Sequence, residues 1–132
     1  LARYHGRKGR LYLATSGTGT AVPVASLSSW SLDYSTDKEE VTAFGDANKT
    51  YVQGLPDVSV EFSGFWDDTD TTLKTAALSS DGTKVYLYPS TDAATKYAYG
   101  PAWADFSIEV AVDGAVTVSG TIAANGSWGI NL

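Results

Sequence analysis

The amino-acid sequence predicts a mainly β protein: a single-domain β-sandwich or partly open barrel with one short flanking α-helix. Three observations carry this expectation. Several stretches alternate apolar and polar residues with a period of two, the pattern of strands half buried against a core. Gly, Ser, Thr, Val, Tyr and Trp are frequent, and long helix-forming runs are missing. Only one stretch, around residues 71–79, has helical spacing. At 132 residues the chain fits one domain and can bury a core without disulfide or metal staples.

Taken in order, residues 1–9 form a basic arm containing Arg3, Arg7 and Lys8, with Arg10 at its end. Arg10 to Ala14 reads as a first strand, and the Ser/Gly/Thr-rich run before Pro23 reads as a loop. Leu27 to Tyr34 places Trp30, Leu32 and Tyr34 on one face and Ser29, Ser31 and Asp33 on the other, a second strand. A charged turn from Thr36 to Glu40 leads to a short extended piece, Val41 to Phe44. Residues 35–57 as a whole read as a long inter-strand loop, rich in turn formers such as Gly45, Asp46, Gly54, Pro56 and Asp57. That loop also carries Phe44, Tyr51, Val52 and Leu55, which a purely solvated loop would not need.

The cleanest alternation follows. Val58, Val60, Phe62, Gly64 and Trp66 share one face, and Ser59, Glu61 and Ser63 the other. Leu73, Ala76 and Ala77 then recur at i, i+3 and i+4, with Asp67, Asp68 and Asp70 just ahead, where a helix N-terminus favours carboxylates. Lys84 to Tyr88 and Lys96 to Tyr99 are strands that stop at Pro89 and at Gly100-Pro101. Ala102 to Val112 and Val116 to Ala123 make a hairpin across an Asp113-Gly114 turn. Trp128, Ile130 and Leu132 alternate once more, which suggests a last strand or a tail along the core. This gives about seven or eight strands around one helix, and no internal repeat is visible.

Composition excludes several chemistries. Without cysteine there is no disulfide framework, thiolate metal site or cysteine nucleophile. His5 is the only histidine and lies in the arm, so a Ser/His/Asp triad in the packed body is not expected. The net charge of -6 is unevenly spread: a strongly acidic body follows the basic arm. An acidic body repels phosphate backbones, so sequence-specific duplex binding is not expected, and the arm is read as docking on protein. Asp67, Asp68 and Asp70 lack the spacing of a calcium loop and are read as helix caps. Glu61 and Glu109 are read as solvated strand carboxylates rather than a glycosidase pair. Trp30 and Trp66 are expected in the core, and Trp103 at an edge or interface.

The stretch Ser16 to Gly19 lacks the lysine and setting of a phosphate loop. No apolar run is long enough to span a bilayer, and the basic start lacks the apolar stretch of a signal peptide, so the chain reads as made in the cytosol. On that reading the acceptor patterns at Asn48 and Asn125 carry no glycan. Methionine is absent and position 1 is Leu, which fits a non-standard start codon in a bacterial or viral reading frame.

The run SSWSLDYSTDKEEVTAFGDANKTYVQGLPDVSVEFSGFWDD, with a helix and a YLYP strand after it, resembles the tail tube (major tail) proteins of long-tailed bacteriophages. The matching parts are Trp30 and Leu32, the acidic turn, Thr42 to Asp46, Tyr51 and Gly54 before Asp57, the Phe62-x-Gly64 strand and the late hairpin. The resemblance implies a structural virion protein without catalysis or cofactor, made in the host bacterial cytoplasm and located in the tail. It implies homohexameric rings that stack into a tube, join other phage tail proteins and pass DNA through the lumen without specific binding. Phe44, Tyr51, Val52, Leu55, Arg7 and Arg10 are then the expected inter-subunit contacts. Glu61, Asp105 and Glu109 are the expected lumen lining. Two alternatives stand beside it: a capsid decoration or other virion surface protein of similar β fold, and a carbohydrate-binding module using Trp103, Trp128 and exposed tyrosines.

Overall fold

A computed structural model describes residues 3–14 and 19–132. Leu1 and most of the Ser16 to Gly19 stretch lie outside the described residues. The described residues form eight strands: β1 (Arg10–Leu13), β2 (Val22–Pro23), β3 (Leu27–Glu40), β4 (Tyr51–Phe65), β5 (Thr83–Tyr88), β6 (Tyr97–Glu109), β7 (Thr117–Ala124) and β8 (Gly129–Asn131); all but the two-residue β2 and the far ends of β3 and β4 follow the alternating stretches. One helix, α1 (Thr72–Leu78), separates β4 from β5. The strands form one antiparallel sheet in the order β2-β1-β5-β6-β7-β4-β3, with β8 paired to β6.

The sheet does not close, but it folds over on itself. Leu11, Leu13, Val85 and Leu87 from β1 and β5 meet Val58, Val60 and Phe62 from β4 and Ile122 from β7 in one buried cluster. These are the inward positions of each period-2 pattern. Burying a side chain of this kind contributes about 1.5–3 kcal/mol, so this cluster is the main source of stability. α1 packs on β6 and β1 and sends Ala76 into the same core.

β6 makes the fold-over possible. Tyr97 to Tyr99 pair with β8, Ala98 to Ala102 with β5, and Ala102 to Glu109 with β7. One strand therefore belongs to both halves, as in corner strands of orthogonal packings. The expected break at Gly100-Pro101 is absent, because Pro101 registers with Lys84 of β5 and falls in the gap between β8 and β7, where no amide donor is required. A Cβ at Gly100 would collide with the Trp128 indole, whose Nε1–H donates to the Pro101 carbonyl at 2.8 Å. Glycine is required there by close approach rather than by backbone angle.

Other expectations are also revised. The turn after β6 is wider than Asp113-Gly114, since residues 110–116 all lie between the paired strands. Trp66 is 54 % exposed rather than core, because β4 ends at Phe65, one residue before it. Trp30 packs half-buried against the core. Val41 to Phe44 is not a strand, and the 35–57 loop is mostly paired: β3 continues to Glu40 and β4 begins at Tyr51.

Candidate assembly surfaces

Four strands, in the order β3-β4-β7-β6, form a continuous sheet with two chemically different faces. Register places Ser31, Glu61, Thr121 and Asp105 in one row across it. On one side of it lies the row Ser29, Ser63, Ser119 and Ser107, and on the other the row Asp33, Ser59, Ala123 and Trp103. Side-chain hydroxyls pair within the serine row, Ser29 Oγ to Ser63 Oγ at 2.8 Å and Ser107 Oγ to Ser119 Oγ at 3.3 Å. The serine row and the row of Glu61 and Asp105 line a shallow basin. Glu109 lies one step further along β6, and Asp57 one step back along β4.

The face is thus mainly hydroxyl and carboxylate, with Ala123 and Trp103 in one row and no lysine or arginine in any of the three. Carboxylates repeated on one surface produce a field that repels polyanions. Glu61, Asp105 and Glu109 all lie on this face, as the sequence reading expected. Asp33 and Asp57 share this face and were not singled out from the sequence. The signal was available: both continue the polar phase of their strands.

Both long edges of this four-stranded part are open among the described residues. β3 pairs only with β4, and β6 beyond Ala102 pairs only with β7. Open edges are templates for another chain.

Past Ser59, β4 loses its β7 partner, and β3 and β4 run on as a two-stranded ribbon capped by residues 41–50. From Val58 to Tyr51 the ribbon extends about 25 Å. A bulge lies between Thr36 and Lys38, and a Cβ at Gly54 there would press on Asp37. Pro56 is tolerated because the other side of β4 is unpaired at this point. The ribbon carries apolar surface into solvent: Leu55 is 85 % and Phe44 108 % exposed, and Tyr51 and Val52 are exposed too. At the tip the Asp46 carboxylate accepts from the Ala43 amide at 2.7 Å and the Thr42 hydroxyl accepts from the Thr50 amide at 3.0 Å, so the turn has a defined shape.

The described part of the basic arm begins at Arg3. His5 caps a 3-10 turn over Gly6–Lys8, Lys8 pairs with Asp92 at 3.0 Å, and Arg10 donates to the carbonyls of Arg7 and Gly9. The Arg7 and Arg10 side chains lie on this exposed end. Above it, β1, β5 and β6 present Tyr12, Tyr86, Tyr88, Tyr97 and Tyr99 with ring centroids 5.2–6.1 Å apart. Partial burial, and then the neighbouring phenols, raise the pKa of Tyr88.

The three aspartates ahead of α1 have local partners. Partial burial opposes ionisation of Asp70, but the amides of Thr72, at 2.9 Å, and Ala25, at 2.7 Å, outweigh it and its pKa is lowered. The hydroxyl and amide of Thr69 lower that of Asp67. Asp70 thereby ties the start of the helix to the turn before β3. None of the three aspartates is the cap residue itself, which is Thr71; Asp70, just before it, holds the first helical amide, while Asp67 closes a turn of its own. No helix among the described residues is long and apolar enough to cross a membrane.

No protein-family model matches the sequence, and no curated protein does. Solved structures do match. One is from the tail of an empty gene transfer agent particle, refined helically with C6 symmetry; it has a TM-score of 0.82 at 14% identity and covers 98% of this chain and 100% of that one. The virion of a native gene transfer agent particle matches with a TM-score of 0.82 at 13% identity and the same coverage. The SPP1 tail tube, determined by solid-state NMR and cryo-EM, matches with a TM-score of 0.69 at 15% identity over 94% of this chain and 77% of that one. At these identities it is the fold that is shared: this chain folds as the matched chains of a gene transfer agent tail and of the SPP1 tail tube do.

Proposed function

We propose that the chain is a structural virion protein, the subunit of a tail tube in which six copies close into a ring, rings stack, and the lumen conducts DNA. The observation that carries this reading is the four-stranded sheet, which combines one face of mainly hydroxyl and carboxylate side chains with an open edge on either side. Pairing the β3 edge of one copy with the β6 edge of the next removes both edges and continues the serine and carboxylate rows around the ring. Four strands from each of six copies, about 4.8 Å apart and tilted about 40°, enclose a barrel about 50 Å across, wider than a DNA duplex. An acidic lining of Asp33, Asp57, Glu61, Asp105 and Glu109 repels the phosphate backbone and lets DNA slide without sticking.

The ring number follows the C6 symmetry of the matched gene transfer agent tail. Phe44, Tyr51, Val52 and Leu55 on the ribbon and Arg7 and Arg10 beside the arm serve as contacts between copies. The partners are further copies of the chain and other tail proteins, the location is the virion tail, and no catalysis or cofactor is involved. Electron microscopy of the purified protein tests the reading. Rings or tubes of sixfold symmetry are expected, whereas monomers or trimers that bind only to a capsid would replace it with a decoration role, and a monomer that binds glycans would replace it with a carbohydrate module.

A further inference from the structure

The ribbon and its sheet have a direction. β3 and β4 turn at residues 41–50 at one end, and Leu27, Phe65 and Val118 lie at the other. At that far end an apolar groove of ≈ 300 Å³ separates the sheet from the start of α1, floored by Leu27, Leu73, Phe106 and Ile108 and bordered by Trp66 and Asp68. Phe106, Ile108 and Trp66 are 37 %, 48 % and 54 % exposed, although the first two share the phase of the core. Contiguous apolar surface in a concavity marks a place where something binds. At the ribbon tip the side chain of Phe44 is fully exposed within its own subunit, with Lys49 in the same turn.

We propose that the groove of one copy receives the Phe44 tip of the next copy along the stack, with Lys49 set against Asp68. The inference rests on the stacked-ring reading and names the surface that the ribbon meets. Three features select a second copy as the occupant. Knob and groove stand at opposite ends of the same strands, so the contact is head-to-tail and repeats without closing, as a stack of rings requires. The knob is apolar and the floor is apolar, and one aromatic ring fits the groove volume. The charges oppose: Asp67 and Asp70 are occupied by Thr69, Thr72 and Ala25, whereas Asp68 and Lys49 have no hydrogen-bond or ion-pair partner among the described residues.

The chain has no cysteine, so a designed pair reports without background. Ala43→Cys beside Phe44 and Thr71→Cys on the groove wall are combined in one chain, allowed to assemble, and oxidised with oxidised glutathione. A non-reducing gel is expected to show a covalent ladder running past the hexamer, which neither single variant produces. Phe44→Ala is expected to give rings but at least tenfold fewer sedimentable tubes. Tubes seen by electron microscopy without the ladder, or normal tubes from Phe44→Ala, overturn this inference and leave the tube reading standing. Wild-type protein that never forms tubes overturns both.

Discussion

Asp70 concentrates several roles in one carboxylate. It accepts hydrogen bonds from the amides of Thr72 and Ala25, so it starts α1 and anchors the turn into β3 together. Charge-assisted bonds of this kind contribute about 1.5–3 kcal/mol each against an exposed reference, and partial exposure places the pair at the lower end. Asp70→Ala is therefore expected to lower stability by about 1–2 kcal/mol, measured by urea unfolding. The linkage has a definite sign: a carboxylate with a lowered folded pKa stabilises above its ordinary value of 3.8, and that contribution fades as pH falls through the folded pKa. Asp70→Asn should flatten the acid limb of the stability profile below about pH 4 and leave the neutral side offset. At this scale the sequence was informative where a residue acts locally. An aspartate before a helical run signals a cap, but nothing in the chain order shows that the other oxygen reaches Ala25, 45 residues away. Trp66 failed for a related reason. Its phase matched the core, yet phase does not tell where a strand ends.

Among the elements, the ribbon of β3 and β4 was the hardest to read. Gly54 and Pro56 look like loop residues because they weaken a strand paired on both sides. Here β4 is paired on one side only, and Gly54 lies opposite a bulge, so both are accommodated in a strand. The strands of the sheet itself were read from alternation, because each has one buried face; the ribbon has none, and period-2 logic had nothing to detect. Tyr51 and Leu55 hold no core contact, so changing both to Ser is expected to leave the monomer's thermal midpoint within about 3 °C of wild type while abolishing assembly seen by sedimentation. Loss of the monomer fold would show that they are core residues instead.

At the scale of the whole molecule, the division between an acidic hydroxyl face and an apolar core face was visible in the alternation of β4, β6 and β7. The joining of those strands into one basin was not, because register is a property of pairs. Replacing Glu61 and Asp105 by Lys reverses the charge on β4 and on the edge strand β6, the two strands that flank β7, and leaves the backbone groups of the edge unchanged. Such protein is expected to form tubes of normal width that now retain duplex DNA, with retention falling steeply as salt rises. Tubes that ignore DNA as the wild type does would remove the electrostatic argument for the lining.

The ribbon also bears on how fast assembly starts. Two strands without a third are marginal in water, so the ribbon of a free subunit, although paired from Tyr34 to Glu40, is expected to open more often than the sheet, and on the tube reading the first copies to meet must order it at a cost in chain entropy. A copy arriving at a formed ring finds its partner already rigid, and only one side remains to be ordered. Formation of the first rings is then slow and elongation fast, so light scattering of purified protein should show a lag that short, preformed tubes abolish and that shortens steeply with concentration.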